Sequence, residues 1–439
     1  MKERILVVGS GAREHAIAIA LERSPKQPEI LCFSGARNPG IDALCVAYGL
    51  GDITCGDKVA AFAKEHGATL AVIGPEAPLA AGVADALWAA GIKTVGPTQK
   101  LAQIESSKGF TRQLLTKYEI PGNPFFQRFP SMEGAHEVLK RYAAQHVIKD
   151  DGLAGGKGVK VWGDHLQSME ESLAFCEELV AHKHPFVIEE KLEGEEFSLM
   201  SFSDGFSLKH MPAVQDHKRA FIGDKGPNTG GMGTYTDADG SLPFLCESDI
   251  AEARDINERV IAALREECGE PYRGILYGGF MATRDGVKLI EYNARFGDPE
   301  SLNLLTLLET DFVTICRAIV EQKLADIQVV FKSVASVCKY VVPDGYPDAP
   351  RKGDVVEMPE ELPKNVTAFL SAVDVRVGKL VATGSRTVAF VGTGATISEA
   401  ETVCESAVQR VPGPFFHRED IGTEALIAKR VEHMKELRG

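Results

Sequence analysis

The residues best suited to metal and phosphate chemistry lie in Val287-Lys288-Leu289-Ile290-Glu291-Tyr292-Asn293-Ala294-Arg295-Phe296. The run reads as a strand, and its period of two puts Glu291, Asn293 and Arg295 on one face. A hard divalent cation such as Mg²⁺ takes oxygen ligands, typically one or two from protein and the rest from phosphate and water. Glu291 and Asn293 supply two such oxygens, and Arg295 stands beside them for a phosphate or carboxylate. An exposed strand face is the structural alternative.

Lys149-Asp150-Asp151-Gly152-Leu153-Ala154-Gly155-Gly156-Lys157-Gly158 is a second candidate. It is not a Walker A loop, since Gly158 and a strand follow Lys157 where Ser or Thr and a helix would stand. A glycine hairpin can close over a triphosphate with backbone N–H donors while Lys149 and Lys157 offset charge. The expectation is a mobile lid at Gly152–Gly158. Phe186–Leu192 reads as a strand entering an extended linker. Its exposed backbone groups could face an adenine edge, and a following acid could hold the ribose; alone, it reads as a solvated charge run. Gln215-Asp216-His217-Lys218-Arg219 is a dense donor cluster, and Gly226–Gly233, with Asn228, Thr229 and Gly230, can bring amides to an anion. No acyl nucleophile has a base at a recognisable spacing. Charge stabilisation and positioning remain, which is how phosphoryl transfer is mostly catalysed.

These residues need a scaffold, and the first hundred or so alternate strand and helix. Strands are expected at Arg4–Val8, Glu29–Phe33, Thr69–Ile73 and Lys93–Val95, with helices at Arg13–Glu22, Lys58–His66 and Leu79–Ala90. Strands spaced by helices mean a parallel sheet, with ligands beyond the carboxyl ends of its strands. Gly9-Ser10-Gly11 and Gly74-Pro75-Glu76 sit there. The first turn is no dinucleotide fingerprint, because Glu14 replaces the third glycine and no acid ends the second strand, which disfavours a dehydrogenase. What survives is a helix N-terminus able to hold one phosphate. Hairpin-like strands follow, including Val147–Lys149 and Val159–Trp162. The C-terminal part reads as Val334–Val342, Ala368–Val377, Thr387–Val391 and one helix, Ile397–Arg410, with few convergent charges. The fold class is α/β: an N-terminal Rossmann-like parallel-sheet domain (1–105), a central domain (106–327) and a small β-rich α+β domain (328–439).

Composition agrees, since 439 residues make about three domains at ~150 each. With 48 Lys plus Arg against 62 Asp plus Glu the net charge is −14, a poor surface for nucleic acid. No apolar run approaches the ~20 residues a membrane span needs, and Arg4–Val8 reads as a first strand, not a signal sequence. Nine scattered cysteines without a C-x-x-C pair point to reduced thiols in the cytoplasm. His182 and His184 read as a solvated loop.

In order along the chain, "VIGPEAP", "SSKGFT", "VIKDDGLAGGKGV", "VIEEKLEGEEFS", "QDHKR", "GPNTGGMG" and "IEYNARFGDPE" resemble the phosphoribosylamine–glycine ligase family of the ATP-grasp superfamily. The joint presence of "QDHKR" and "GPNTGGMG" separates this family from other ATP-grasp proteins. The resemblance implies a central ATP-grasp domain and joining of glycine to 5-phosphoribosylamine in de novo purine synthesis. ATP becomes ADP and phosphate through glycyl phosphate, with Mg²⁺ or Mn²⁺ as the metal. Lys108 and Lys149 would hold ATP phosphates under the lid Gly155, Gly156, Lys157 and Gly158; Glu189, Glu190 and Leu192 would line the adenine hinge, with Glu196 near the ribose. Glu291 and Asn293 would bind the metal, and Arg295, Lys218 and Asp216 would orient the reacting groups. Gly11, Pro75, Glu76, Asn228, Thr229, Gly230 and Asp298 would meet substrate. The implied partners are small molecules, with no nucleic acid and no membrane, acting on a monomer or weak homo-oligomer. The chain departs from the usual pattern at Asp151, Gly155 and Ala294 and in "SAVDV" and "ATGSR". The alternatives are another ATP-grasp ligase, such as a carboxylase acting on a different acid, and a nucleotide-binding regulatory protein without turnover.

Overall fold

The computed structural model describes residues 2–143, 145–153 and 158–439. Its N-terminal sheet comprises β1 (Arg4–Val8), β2 (Glu29–Ser34), β3 (Cys45–Leu50), β4 (Leu70–Ile73) and β5 (Lys93–Val95), all parallel, in the order β3-β2-β1-β4-β5. The central strands β1 and β4 are buried continuous runs of Ile, Leu, Val and Ala, as a sheet covered on both faces requires. β3 is absent from the sequence expectation: it is an edge strand with Val46 and Leu50 exposed and no buried alternation to reveal it. The helix expected at Leu79–Ala90 is two, Glu76–Ala80 and Val83–Ala89. They are separated at Gly82, whose φ of +79° suits glycine. The helix α1 (Ala12–Glu22) is buried almost all round, packed against the helix Glu300–Leu307 and the strand Val366–Leu370 as well as its own sheet.

Two antiparallel four-stranded sheets follow. One orders Phe126–Phe129, Phe186–Glu190, His146–Asp150 and Val159–Val161, and has a separate core of Phe129, Leu139, Ile148, Phe175, Phe186 and Ile188. The other orders Leu208–His210, Glu195–Ser203, Gly274–Thr283 and Gly286–Asn293, backed by the helix Glu247–Cys268. A small lobe with its own core thus stands over a larger body that shares one core with the N- and C-terminal parts.

The last sheet crosses the division expected from sequence. Gln215–Asp216, Gly233–Thr236, Ala335–Pro343, Val388–Gly394 and Val366–Leu370 form one antiparallel path, with Phe415–Phe416 pairing Ala335–Pro343. The motifs "QDHKR" and "GPNTGGMG" therefore hang from a sheet whose centre is C-terminal. The expected strand Ala368–Val377 is two, Val366–Leu370 and Val373–Arg376, and the single expected helix is joined by a second, Glu424–Arg438. Leu426 and Met434 of that last helix are buried, and Ile427, Val431 and Leu437 pack partly buried on the main core. The C-terminal part is not poor in convergent charges: Arg386, Arg418 and Arg430 all reach the central domain. All nine cysteines are free, and no described helix is long and apolar enough to cross a membrane.

Candidate active site

A cavity of about 1300 Å³ lies where the two central sheets, the N-terminal loops and the C-terminal part meet. Its deepest feature is built around Glu189, a buried carboxylate on the strand Phe186–Glu190. Arg112 donates to it through Nε at 2.6 Å and Nη2 at 2.9 Å, and Lys149 Nζ stands 2.7 Å away. Arg112 Nη2 and Lys149 Nζ also donate to Ile290 O, at 2.8 and 3.0 Å, which ties the two central sheets together. Burial pushes the Glu189 carboxyl up, but Arg112 and Lys149 overcome it and hold it down at about 2. Burial, with Arg112 nearby, lowers Lys149 below the ordinary lysine value despite Glu189. The Glu189 side chain therefore anchors the lysine, and Glu189 also lines the cavity. At the linker itself, Glu190 and Leu192 face the cavity, Glu190 N donates to Phe125 O, and Glu190 Oε1 accepts from Phe125 N.

Lys108 opens the helix Lys108–Lys117 and donates to Gly152 O at 2.9 Å. Asp151, one of the departures from the family pattern, caps this helix: Oδ1 accepts from Ser107 Oγ and Gly109 N, and Arg128 Nε donates to Oδ2. Gly158 lines the cavity, while Gly155, Gly156 and Lys157 fall outside the described residues.

Glu291, at the end of the strand Gly286–Asn293, faces four cations. Burial raises its pKa, but Lys218, Lys108, Lys149 and Arg295 together bring it below the ordinary value. Yet among the described residues no cation comes within 4.0 Å of it, so the ionised carboxylate is left for something else. Asn293 Oδ1 lies two residues on, 3.3 Å from Arg295 Nη2. An unpaired carboxylate beside an amide oxygen is a donor set that fits a hard divalent cation. Lys218 donates to Glu196 Oε2 at 3.1 Å, and Glu196, Glu291 and Asp216 hold its ammonium above the ordinary lysine range against burial. Asp216 is pushed well above the carboxylate range by burial and by Glu300, and its buried Oδ1 has no hydrogen-bond partner among the described residues.

Arg295 is less free than its sequence position suggests. Its Nε lies 3.2 Å from Glu76 Oε2 and its Nη2 2.9 Å from Glu105 Oε1, while Glu105 Oε2 accepts from Ala294 N at 2.8 Å. It bridges the N-terminal loop to the end of the strand Gly286–Asn293. Glu105 was not expected from sequence, since it ends the ordinary-looking helix Gln99–Ser106. Arg386, in the divergent "ATGSR" segment, was also missed: it donates to Gly230 O at 2.5 Å, Gly231 O at 3.1 Å and Asp298 O at 2.9 Å, and pairs with Asp298 Oδ2 at 3.3 Å. Tyr340 Oη completes the hold on Asp298 at 2.6 Å. Asn228, Thr229 and Gly230 line the cavity, and Thr229 is fixed to Lys218 O through its N–H and hydroxyl.

The first turn differs from expectation. Gly11 N donates to Glu14 Oε2 at 2.6 Å, so a carboxylate of the chain itself takes that donor. Glu14 is also held by Arg13 Nε, and a Cβ at Gly74 would fall 2.0 Å from its Oε1, so this close approach needs glycine. Of the N-terminal loops, Arg13 and Glu76 line the cavity, and Gly11 and Pro75 are not among its lining residues. His182 and His184 are both exposed, His184 beside Asp150 at 3.1 Å.

Models of the phosphoribosylglycinamide synthetase N domain, ATP-grasp (A) domain and C domain match residues 3–105, 106–301 and 336–424. The chain is 47% identical over 445 residues to the phosphoribosylamine–glycine ligase of Methanosarcina acetivorans, covering 100% of this chain and 99% of that protein. It is 46% identical over 441 residues to the one from Methanothermobacter thermautotrophicus, covering 99% and 100%. The crystal structure of phosphoribosylamine–glycine ligase from Thermotoga maritima aligns with a TM-score of 0.81 at 30% identity, over 95% of this chain and 99% of that one. The biotin carboxylase domain of Hydrogenobacter thermophilus 2-oxoglutarate carboxylase, at 14% identity and a TM-score of 0.72 over 99% and 94%, shares the fold. Sequence, fold and cavity agree, and the chain belongs to the phosphoribosylglycinamide synthetase family.

Proposed function

We propose that the cavity joins glycine to 5-phosphoribosylamine at the expense of ATP, through glycyl phosphate. The chain is an ATP-dependent ligase of its family, and the observation that carries the site reading is the cluster of Lys108, Lys149 and Lys218 around an ionised, unpaired Glu291. Lys149, fixed by Glu189 and Ile290 O, and Lys108 take the triphosphate charge. Glu291 and Asn293 would hold Mg²⁺ or Mn²⁺, which supplies neutralisation of charge on the phosphate oxygens. A glycine carboxylate oxygen attacks the γ-phosphorus, the bond to the bridging oxygen breaks, and ADP leaves. The sugar amine then attacks the acyl carbon and loses its proton; the acyl carbon–oxygen bond breaks and phosphate departs with a glycine oxygen. Preorganised donors and proximity drive both steps. Arg295 holds Glu76 and the N-terminal loop against the reacting end, and Arg13 and Glu76 mark the side where the phosphorylated amine enters. Asp216, buried with an unpartnered Oδ1 among the described residues and facing Lys218 and Arg386, offers an acceptor to the amine of a substrate.

The test is phosphate release with each substrate omitted in turn, using glycine labelled with heavy oxygen in its carboxylate. Release requiring all three substrates, with label in the phosphate, is expected. Product formation with label absent from the phosphate refutes the acyl phosphate, and equal turnover with other amino acids refutes the glycine assignment.

A further inference from the structure

The cavity has two chemically different ends. Lys108, Lys149 and Lys218 gather at Glu291, which makes that the phosphate end of the ATP site read above, on which this inference rests. The linker end, at Leu192 and Gly194, is also where Glu195 meets His433, so it mixes small uncharged surface with ionic groups. Over that end lies the helix Glu424–Arg438, which begins where the match to the family C domain stops at residue 424. We propose that this helix is the outer wall of the nucleotide compartment, with Lys429, His433 and Glu436 contacting the nucleoside half of ATP.

Three observations carry it. Lys429, His433 and Glu436 all line the cavity, and their spacing of four and three puts them on one helix face. The helix is held in place by charge as well as by Ile427, Val431, Met434 and Leu437, which pack on the main core. His433 Nδ1 lies 2.7 Å and Arg430 Nε 3.3 Å from the Glu195 carboxylate, and Arg430 also pairs with Asp224. Arg438 clamps Asp249 through two bonds of 2.7 and 2.9 Å and donates to Thr283 O, while Arg284 Nε donates to Leu437 O. Lastly, Glu195 begins the strand that follows the linker, and its neighbour Glu196 turns the opposite way to Lys218, so the helix sets the strand from which the nucleoside end is built.

Lys429 and Glu436 are exposed, so replacing both by Ala leaves the fold intact; Lys435→Ala, exposed and off the cavity, is the control. Binding of ATP with Mg²⁺ is measured by calorimetry on the full chain, with KM for ATP and for glycine alongside. Loss of charged hydrogen bonds should weaken ATP binding about tenfold in the Lys429→Ala, Glu436→Ala double variant. His433→Ala should do the same, with KM for glycine and the Lys435→Ala values unmoved. If the native chain binds no ATP, the nucleotide reading itself fails and the inference with it. If the native chain binds ATP and the double variant and His433→Ala both match it within twofold, the wall is not there and the ATP site stands.

Discussion

Replacing Glu189 by Gln keeps the shape of the side chain and removes one charge between two buried cations. Arg112 and Lys149 reach that carboxylate at 2.6–2.9 Å, and both side chains are nearly solvent-free. Removing one member of a buried ion pair costs about 3–5 kcal/mol, because the partner charge stays buried and unpaired. A second route gives a similar size. The Glu189 carboxyl moves from 4.5 to about 2 on folding, which at 1.36 kcal/mol per pKa unit is worth roughly 3 kcal/mol. The folded value lies below the unfolded one, so this contribution is complete above pH 4.5 and disappears as pH falls through about 2. Urea unfolding of the native chain and Glu189→Gln at pH 7 should therefore differ by about 3 kcal/mol, and the gap should narrow below pH 4.5. The ATP KM should rise as well, because Lys149 keeps only Ile290 O as a fixed partner. A stability loss under ~1 kcal/mol at pH 7, or a gap that stays constant down to pH 3, would refute the electrostatic account.

Three further outcomes are expected. Glu291→Gln should fold normally and lose about 10²–10³ in kcat, the usual weight of one preorganised charge; near-native turnover at saturating Mg²⁺ would remove Glu291 from the metal site. His15, buried and lowered by that burial to about 4, accepts from Leu370 N across the N- and C-terminal parts. Its unfolded form binds the proton more readily, so its contribution of roughly 3 kcal/mol is present above pH 6.5 and is lost as pH falls toward 4. The melting temperature of His15→Gln should lack that slope between pH 6.5 and 4. Arg386→Ala should raise substrate KM and lower stability by about 2–4 kcal/mol, since three carbonyls and Asp298 lose their buried donor; a variant with native KM values would mean that Arg386 only supports the fold.

Chemistry-bearing residues in strands with clear alternation were legible from sequence. Glu291 and Asn293 lie two apart on the strand Gly286–Asn293, while Arg295, expected on the same strand, falls in the bend beyond it; the central strands of the N-terminal sheet stand out because burial on both faces demands continuous apolar runs. The partners of those residues were not legible. Arg112, Glu105 and Arg386 act only across tertiary contacts, so nothing local distinguishes them from surface charges. Glu14 was visible only as a missing glycine, although its spacing of three from Gly11 is that of a helix-capping acid. The helix Glu424–Arg438 was not expected, although Ile427, Val431, Met434 and Leu437 recur at helical spacing and pack on the main core, with ion pairs completing its hold.

The strand Ala335–Pro343 pairs Gly233–Thr236, strand residues roughly a hundred positions apart, with the glycine loop hanging from the joint. During synthesis the ribosome finishes everything through Asn293 before the strand that completes this sheet emerges. Until then Gly233–Thr236 has an open edge toward the missing strand, and open edges invite pairing with other chains. Glu291, Asn293 and the cavity lysines Lys108, Lys149 and Lys218 are thus made early but aligned late. A break in the gene between residues 327 and 328 would yield an N-terminal fragment with Lys108, Lys149 and Lys218 but without the strand that holds the glycine loop, and only co-expression of the remainder would restore turnover.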